Sequence, residues 1–361
     1  MTITIRQAVG SLLVVGVTGP ELTALERAWL KLVRPSGIIL FRRNIVDAAQ
    51  TRALLTEATA HSTEASLRCV DIEGGTVDRL RDAVAPMPSA KAVSATNQPE
   101  LMRLHGELIA RETLAFGFNT TLAPVLDLAH ADSAGVMGTR SASANPEGVV
   151  RYAREFLSGL AAHSVAGCGK HFPGLGGGTL DSHLETPTIH RTWAEMWKQD
   201  LAPFRESAAK LPMIMVSHAA YPNTRGGCNP ATASPFWITS VLQKKIGYRG
   251  LIFSDDMEMG GILKFLPIEQ AAVAALRAGI HMMEICHSPE LILLCYESLI
   301  REAERSATFR RLLLDRAEIA NRLRHSRFNS PTPPALSGTE FEALRENVQR
   351  FRETVEAAQP A

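Results

Sequence analysis

Eight short apolar runs recur along this chain, and most of them end in glycine, polar or ionisable residues. They span residues 12–17, 37–41, 67–72, 121–126, 166–170, 213–217, 251–254 and 282–286. Between most of them lie helix-compatible segments, at 21–33, 48–62, 98–116, 146–163, 192–209 and 268–278. A strand that reads as a continuous apolar run is buried on both faces, which points to a parallel sheet covered by helices. Eight such units in about 290 residues fit a closed barrel better than an open doubly wound sheet. The alternative is a Rossmann-like sheet, but no Gly-x-Gly-x-x-Gly opens a helix after the first run. The expected fold is therefore α/β, a single (β/α)8 TIM-type barrel over residues 1–330. Residues 331–361 are expected to add an appendage. Ser330-Pro331-Thr332-Pro333-Pro334 cannot be helical, and residues 340–358 read as a final charged amphipathic helix.

The ends of the runs carry the chemistry. Asp71 and Glu73 follow the third, Asp127 the fourth and Lys170-His171 the fifth. Ser217-His218 ends the sixth, Asp255-Asp256 the seventh and His287 the eighth. Barrel enzymes assemble their sites at the C-terminal mouth from several strand ends at once, so the site is expected there. Within the fourteen residues 170–183 lie Lys170-His171, a glycine-rich loop and Asp181-Ser182-His183. A carboxylate two residues from an imidazole, on an extended loop, can raise its basicity and fix its tautomer. This segment reads as a catalytic loop.

Charge excludes some partners. Lys plus Arg total 38 against 37 for Asp plus Glu, which gives no support to nucleic-acid or anionic-membrane binding. The five cysteines are odd in number and lack Cys-x-x-Cys spacing, so reduced thiols are expected, as in the cytosol. The N-terminus has no basic region or convincing cleavage site, and a cytoplasmic protein is expected. A monomer or weak homodimer is the expected state.

Taken together the motifs resemble glycoside hydrolase family 3, in its β-N-acetylhexosaminidase branch, from about residue 8 to 290. The resemblance rests on Ile39-Leu40-Phe41-Arg42-Arg43-Asn44, Asp71-Ile72-Glu73-Gly74-Gly75 and Leu122-Ala123-Pro124-Val125-Leu126-Asp127. It continues through Gly138-Thr139-Arg140-Ser141, Lys170-His171-Phe172-Pro173-Gly174, Asp181-Ser182-His183 and Phe253-Ser254-Asp255-Asp256-Met257. It implies a retaining exo-β-N-acetylglucosaminidase with a covalent glycosyl intermediate on Asp255. It also implies His183 as acid/base supported by Asp181, and sugar binding by Asp71, Arg79, Arg140, Lys170 and His171. No metal or cofactor is implied, and the partner is a small carbohydrate, in the cytosol a muropeptide fragment of cell-wall recycling.

Several positions depart from the family pattern. Thr76 stands where arginine is common, Thr139 where aspartate is common, and Leu175 in place of a frequent histidine. His281 lies near the eighth run where aspartate is typical, and Glu284 is an acid in an apolar run. Asp255 read alone is equally a helix cap, Arg79 an ordinary surface arginine, and His218 a packed core residue. Two other functions compete. One is a catalytically silent sugar-binding protein of the same fold. The other is a metal-dependent hydrolase using His171, Asp181, His183, His218 and Asp255, although the His-x-His usual at the first strand end of such enzymes is missing. Water and phosphate both remain open as acceptor.

Overall fold

The computed structural model describes residues 3–62, 65–130, 137–177, 186–328 and 333–359. Its strands, in chain order, are β1 (Leu13–Val15), β2 (Gly37–Leu40), β3 (Leu67–Val70), β4 (Ile72–Gly74) and β5 (Val77–Asp78). They continue with β6 (Thr120–Thr121), β7 (Ala166–Phe172), β8 (Met213–Val216), β9 (Leu251–Asp256) and β10 (Met282–Ile285). Eight of them close a barrel in the order β1-β10-β9-β8-β7-β6-β3-β2, all parallel. Closure comes where Leu13, Val14 and Val15 pair with Met283, Glu284 and Ile285. Every residue of β1, β2, β7, β8 and β10 is buried, as two-sided apolar strands require.

Local sequence signals set the surrounding helices. Thr23 and Glu26 form a capping box that starts Ala24–Val33. Asn145 and Ser288 cap Pro146–Ala162 and Pro289–Arg305, each with proline in its first turn. Pro99–Ala115 and Pro146–Ala162 pack at close range through Gly106, where a Cβ would lie 2.1 Å from the Phe156 carbonyl oxygen. Helix Gly338–Ala357 lies against Pro99–Ala115. Its Phe351 stacks on His105 with centroids 5.7 Å apart, and Phe341 meets Phe116 at 6.0 Å. Its Arg345 donates to the Ala83 carbonyl at 3.3 Å, in the loop that follows β5. Among the described residues no helix is long and apolar enough to cross a membrane.

Three features differ from the sequence reading. The fourth barrel strand is only Thr120–Thr121, because Pro124 has no N–H to extend the ladder. Beyond it, Leu126 N still donates to the Lys170 carbonyl at 2.6 Å and Val125 bridges to Lys170. The segment 192–209 splits into Trp193–Lys198 and Ala202–Ser207, since Pro203 is compatible with a helix start but not with an interior. The hairpin β4–β5, antiparallel and outside the barrel, has no counterpart among the eight apolar runs.

Candidate active site

The C-terminal ends of the strands surround a cavity of about 280 Å³. Asp71 enters it from the link between β3 and β4, and Glu73 from β4 itself. They are two apart on extended backbone, so their side chains leave on the same side. Both reach the ammonium of Lys170 on β7, which lies 2.8 Å from Asp71 Oδ1 and 2.6 Å from Glu73 Oε1. Gly74 makes the turn possible: its φ is +84°, and a Cβ there would lie 2.1 Å from the Pro88 carbonyl oxygen.

Arg140 grips Glu73 with two parallel bonds, Nε to Oε2 and Nη2 to Oε1, each 2.8 Å. Arg79 stands at the rim, with Nη2 3.4 Å from Asp71 Oδ2 and its guanidinium 5.4 Å from the Phe41 ring centroid. Burial by itself would raise the Glu73 carboxyl, but Arg140 and Lys170 outweigh it and hold it down at about 2. Asp71 is likewise raised by burial and lowered further by Lys170 and Arg79, to well below the usual carboxylate range. Burial would lower Lys170, yet Asp71 and Glu73 push it above its ordinary value. The group is a pre-charged cradle, with carboxylates to accept and cations to donate at whatever polyhydroxylated ligand enters.

His171 is oriented from behind. Asp127 accepts from its Nδ1 at 2.7 Å and from its backbone N–H at 3.1 Å, while Asp127 Oδ1 takes the Leu175 N–H at 2.6 Å. That fixes Nδ1 as a donor and leaves Nε2, 3.4 Å from Arg140 Nη2, facing the cavity. Two of these bonds tie Asp127 to β7 and the third ties it to the start of the glycine-rich loop.

Across the cavity, Asp255 lies half-buried near the end of β9, its Oδ1 accepting the Asp256 N–H at 3.0 Å. Asp256 accepts from the Glu258 N–H at 3.1 Å and so closes the turn after β9. Burial, and then the charge of Glu258, push Asp256 up to about 7. His218 does not line the cavity. It is fully buried, with Nε2 3.0 Å from the Asp256 carbonyl oxygen and Nδ1 2.9 Å from Thr232 Oγ1. It is therefore a packed residue that buttresses the backbone beside Asp255, and both its ring nitrogens are committed. Of the five-residue metal set considered from the sequence, His171, His218 and Asp255 do not gather as potential ligands, and Asp181 and His183 lie outside the described residues. A different trio, Asp256, Glu258 and His287, is the one group of three potential metal ligands found among them.

Of the residues singled out from the sequence, Asp71, Arg79, Arg140, Lys170, His171 and Asp255 line this single cavity. Asp181 and His183 lie outside the described residues. The sequence reading gave no role to Glu73, although its two-residue spacing from Asp71 was the signal that it shares a face. Asp127 was visible as a strand end and as the last residue of a quoted motif, without a role. Phe41 stood in a quoted motif and His287 at a strand end, but their contact, 5.1 Å apart at the rim, carried no signal because it joins positions remote in the chain.

The sequence matches the model of the glycosyl hydrolase family 3 N terminal domain over residues 4–317. A beta-hexosaminidase of Tolumonas auensis is 40% identical over 280 residues, 76% of this chain and 83% of that protein. One from Haemophilus influenzae is 34% identical over 330 residues, 87% of this chain and 93% of its own. Among solved structures, a family 3 β-N-acetylglucosaminidase from Paenibacillus superposes with a TM-score of 0.88 at 30% identity, covering 98% of this chain and 69% of its own. Native NagZ from Neisseria gonorrhoeae gives 0.76 at 28% identity, covering 97% and 98%.

Proposed function

The chain belongs to glycoside hydrolase family 3, and on that premise we propose that it is a retaining exo-β-N-acetylglucosaminidase. Asp255 is the nucleophile in this reading, and His183, supported by Asp181, is the acid/base. The observation that carries the proposal is the placement of Asp255 across one cavity from the Lys170–Asp71–Glu73–Arg140 cradle. A terminal sugar held by that cradle sets its anomeric carbon toward the carboxylate. The beta-hexosaminidase relatives point to N-acetylhexosamine as the sugar.

In the first step an Asp255 carboxylate oxygen bonds to the anomeric carbon while the bond to the leaving-group oxygen breaks. That oxygen keeps the electron pair and takes the proton of the His183 imidazolium. In the second, neutral His183 removes a proton from water as the water oxygen displaces Asp255, and the sugar leaves with its original configuration. The natural substrate assigned here is a cell-wall muropeptide fragment with terminal β-linked N-acetylglucosamine.

The test is nitrophenol release from the β-N-acetylglucosaminide and the β-glucoside, by wild type and by Asp255→Ala. Turnover of the N-acetyl substrate that collapses in the variant supports both reaction and nucleophile. A folded wild type that turns over neither substrate, yet binds N-acetylglucosamine, would leave a sugar-binding protein instead.

A further inference from the structure

Glu284 is a carboxyl where a barrel normally places an aliphatic side chain. On β10 residues 282 and 284 alternate to the barrel interior, and Glu284, with Cys286 just beyond the strand, reaches the cavity floor. The Glu284 side chain is tied down at one oxygen only, where Cys286 Sγ donates to Oε1 at 3.1 Å. Its backbone is fixed as well, since its N–H donates to Ser254 Oγ at 3.1 Å and its carbonyl accepts from Met257 N at 2.8 Å. Oε2 is buried and has no hydrogen-bond partner. Glu284 as a whole is only 3% exposed.

Such an orphan is unfavourable in an apolar layer unless something that binds there completes it. Rotation about the last carboxyl torsion is soft, so either oxygen can be turned toward the cavity. Burial, together with Asp256 and Asp71 nearby, pushes this carboxyl well above the usual range. That direction favours the protonated form, which has a proton to donate, while Asp71 and Glu73 in the same cavity are held ionised and accept.

We propose that Glu284 is a sugar-contacting, specificity-determining residue, its uncommitted carboxyl oxygen bonding a ring substituent of the sugar held between Lys170 and Asp255. It adds a donor at the floor to the cations on the wall, and so sets which substituent pattern the cavity accepts. This rests on the glycosidase reading above.

The experiment compares wild type, Glu284→Leu and Glu284→Gln on the nitrophenyl β-N-acetylglucosaminide and on its 3-, 4- and 6-deoxy analogues. Glu284→Leu is expected to lower kcat/KM on the parent by roughly ten- to a hundredfold, and Glu284→Gln by only a few-fold because its amide still donates. On one deoxy analogue, the one missing the partner hydroxyl, wild type and Glu284→Leu should converge. An equal loss on all four substrates, or no loss on the parent, overturns the proposal. If Glu284→Leu does not fold, the same comparison is made with Glu284→Gln and Glu284→Met. If wild type turns over nothing, the glycosidase reading fails on its own. Glu284 is then judged by calorimetry of N-acetylglucosamine and its deoxy forms, where the same convergence is required.

Discussion

Replacing Glu73 by glutamine removes the charge that Lys170 and Arg140 share while keeping the shape. In the native protein this carboxylate accepts three charge-assisted bonds, one from Lys170 and two from Arg140, and its side chain is 2% exposed. Breaking a buried pair by removing one partner costs about 3–5 kcal/mol, because the remaining charge is left uncompensated. A second route gives a similar figure. Holding the carboxyl at about 2 instead of 4.5 corresponds to roughly 3 kcal/mol of native-state stability at neutral pH. The folded value is depressed, so this contribution is present above the unfolded value and is lost as pH falls toward 2. Urea unfolding of wild type and Glu73→Gln should therefore show a gap of about 3 kcal/mol at pH 7. The gap should narrow by about 1 kcal/mol at pH 3.5, since the coupled neighbours Asp71 and Lys170 stay charged over this range in both proteins. Equal stabilities at pH 7, or a gap that widens on acidification, would refute the charge argument.

Two further outcomes follow from the same site. Asp127→Asn replaces an acceptor of three bonds with a group that can turn an N–H toward His171. It should reduce kcat/KM by roughly ten- to a hundredfold while leaving the far-UV circular dichroism unchanged. Full activity in that variant would show that the orientation of His171 is immaterial. Asp256 has the opposite linkage sign to Glu73. Its carboxyl is raised to about 7, so the stability of the protonated form is present below pH 4 and lost as pH rises through 7. Asp256→Asn should match wild type near pH 4 and exceed it by roughly 4 kcal/mol above pH 7. A thermal-melt difference that is flat with pH would count against the raised value.

The barrel was legible because parallel strands buried on both faces leave unbroken apolar runs, and because ionisable residues mark their mouth ends. Residues 268–278 were read with the bounds the structure gives, since apolar periodicity runs right up to Gly279. What escaped was local geometry with no period. The β4–β5 hairpin is built from three residues and two, too short to alternate, and its turn depends on Gly74 meeting the Pro88 carbonyl. Within the site, the charged cradle was found as separate residues but not as a connected group. Its connections join Glu73 to Arg140 and Lys170, 67 and 97 positions later in the chain. Glu284 was noticed as an acid in an apolar run, but only the closed barrel shows that it lies on the cavity floor.

Helix Gly338–Ala357 ties the chain's last described helix to one of its earliest loops. Arg345 reaches the Ala83 carbonyl across 262 positions, and Phe351 covers His105 on a helix behind the Asp71–Arg79 segment. During synthesis the strands supplying Asp71, Lys170 and Asp255 emerge first and can begin to associate as the polypeptide lengthens. The segment carrying Arg79 nevertheless lacks this outer brace until residue 351 has cleared the ribosome. Nascent chains stalled before that point should accordingly expose residues 79–89 to protease, and full-length chains should protect them.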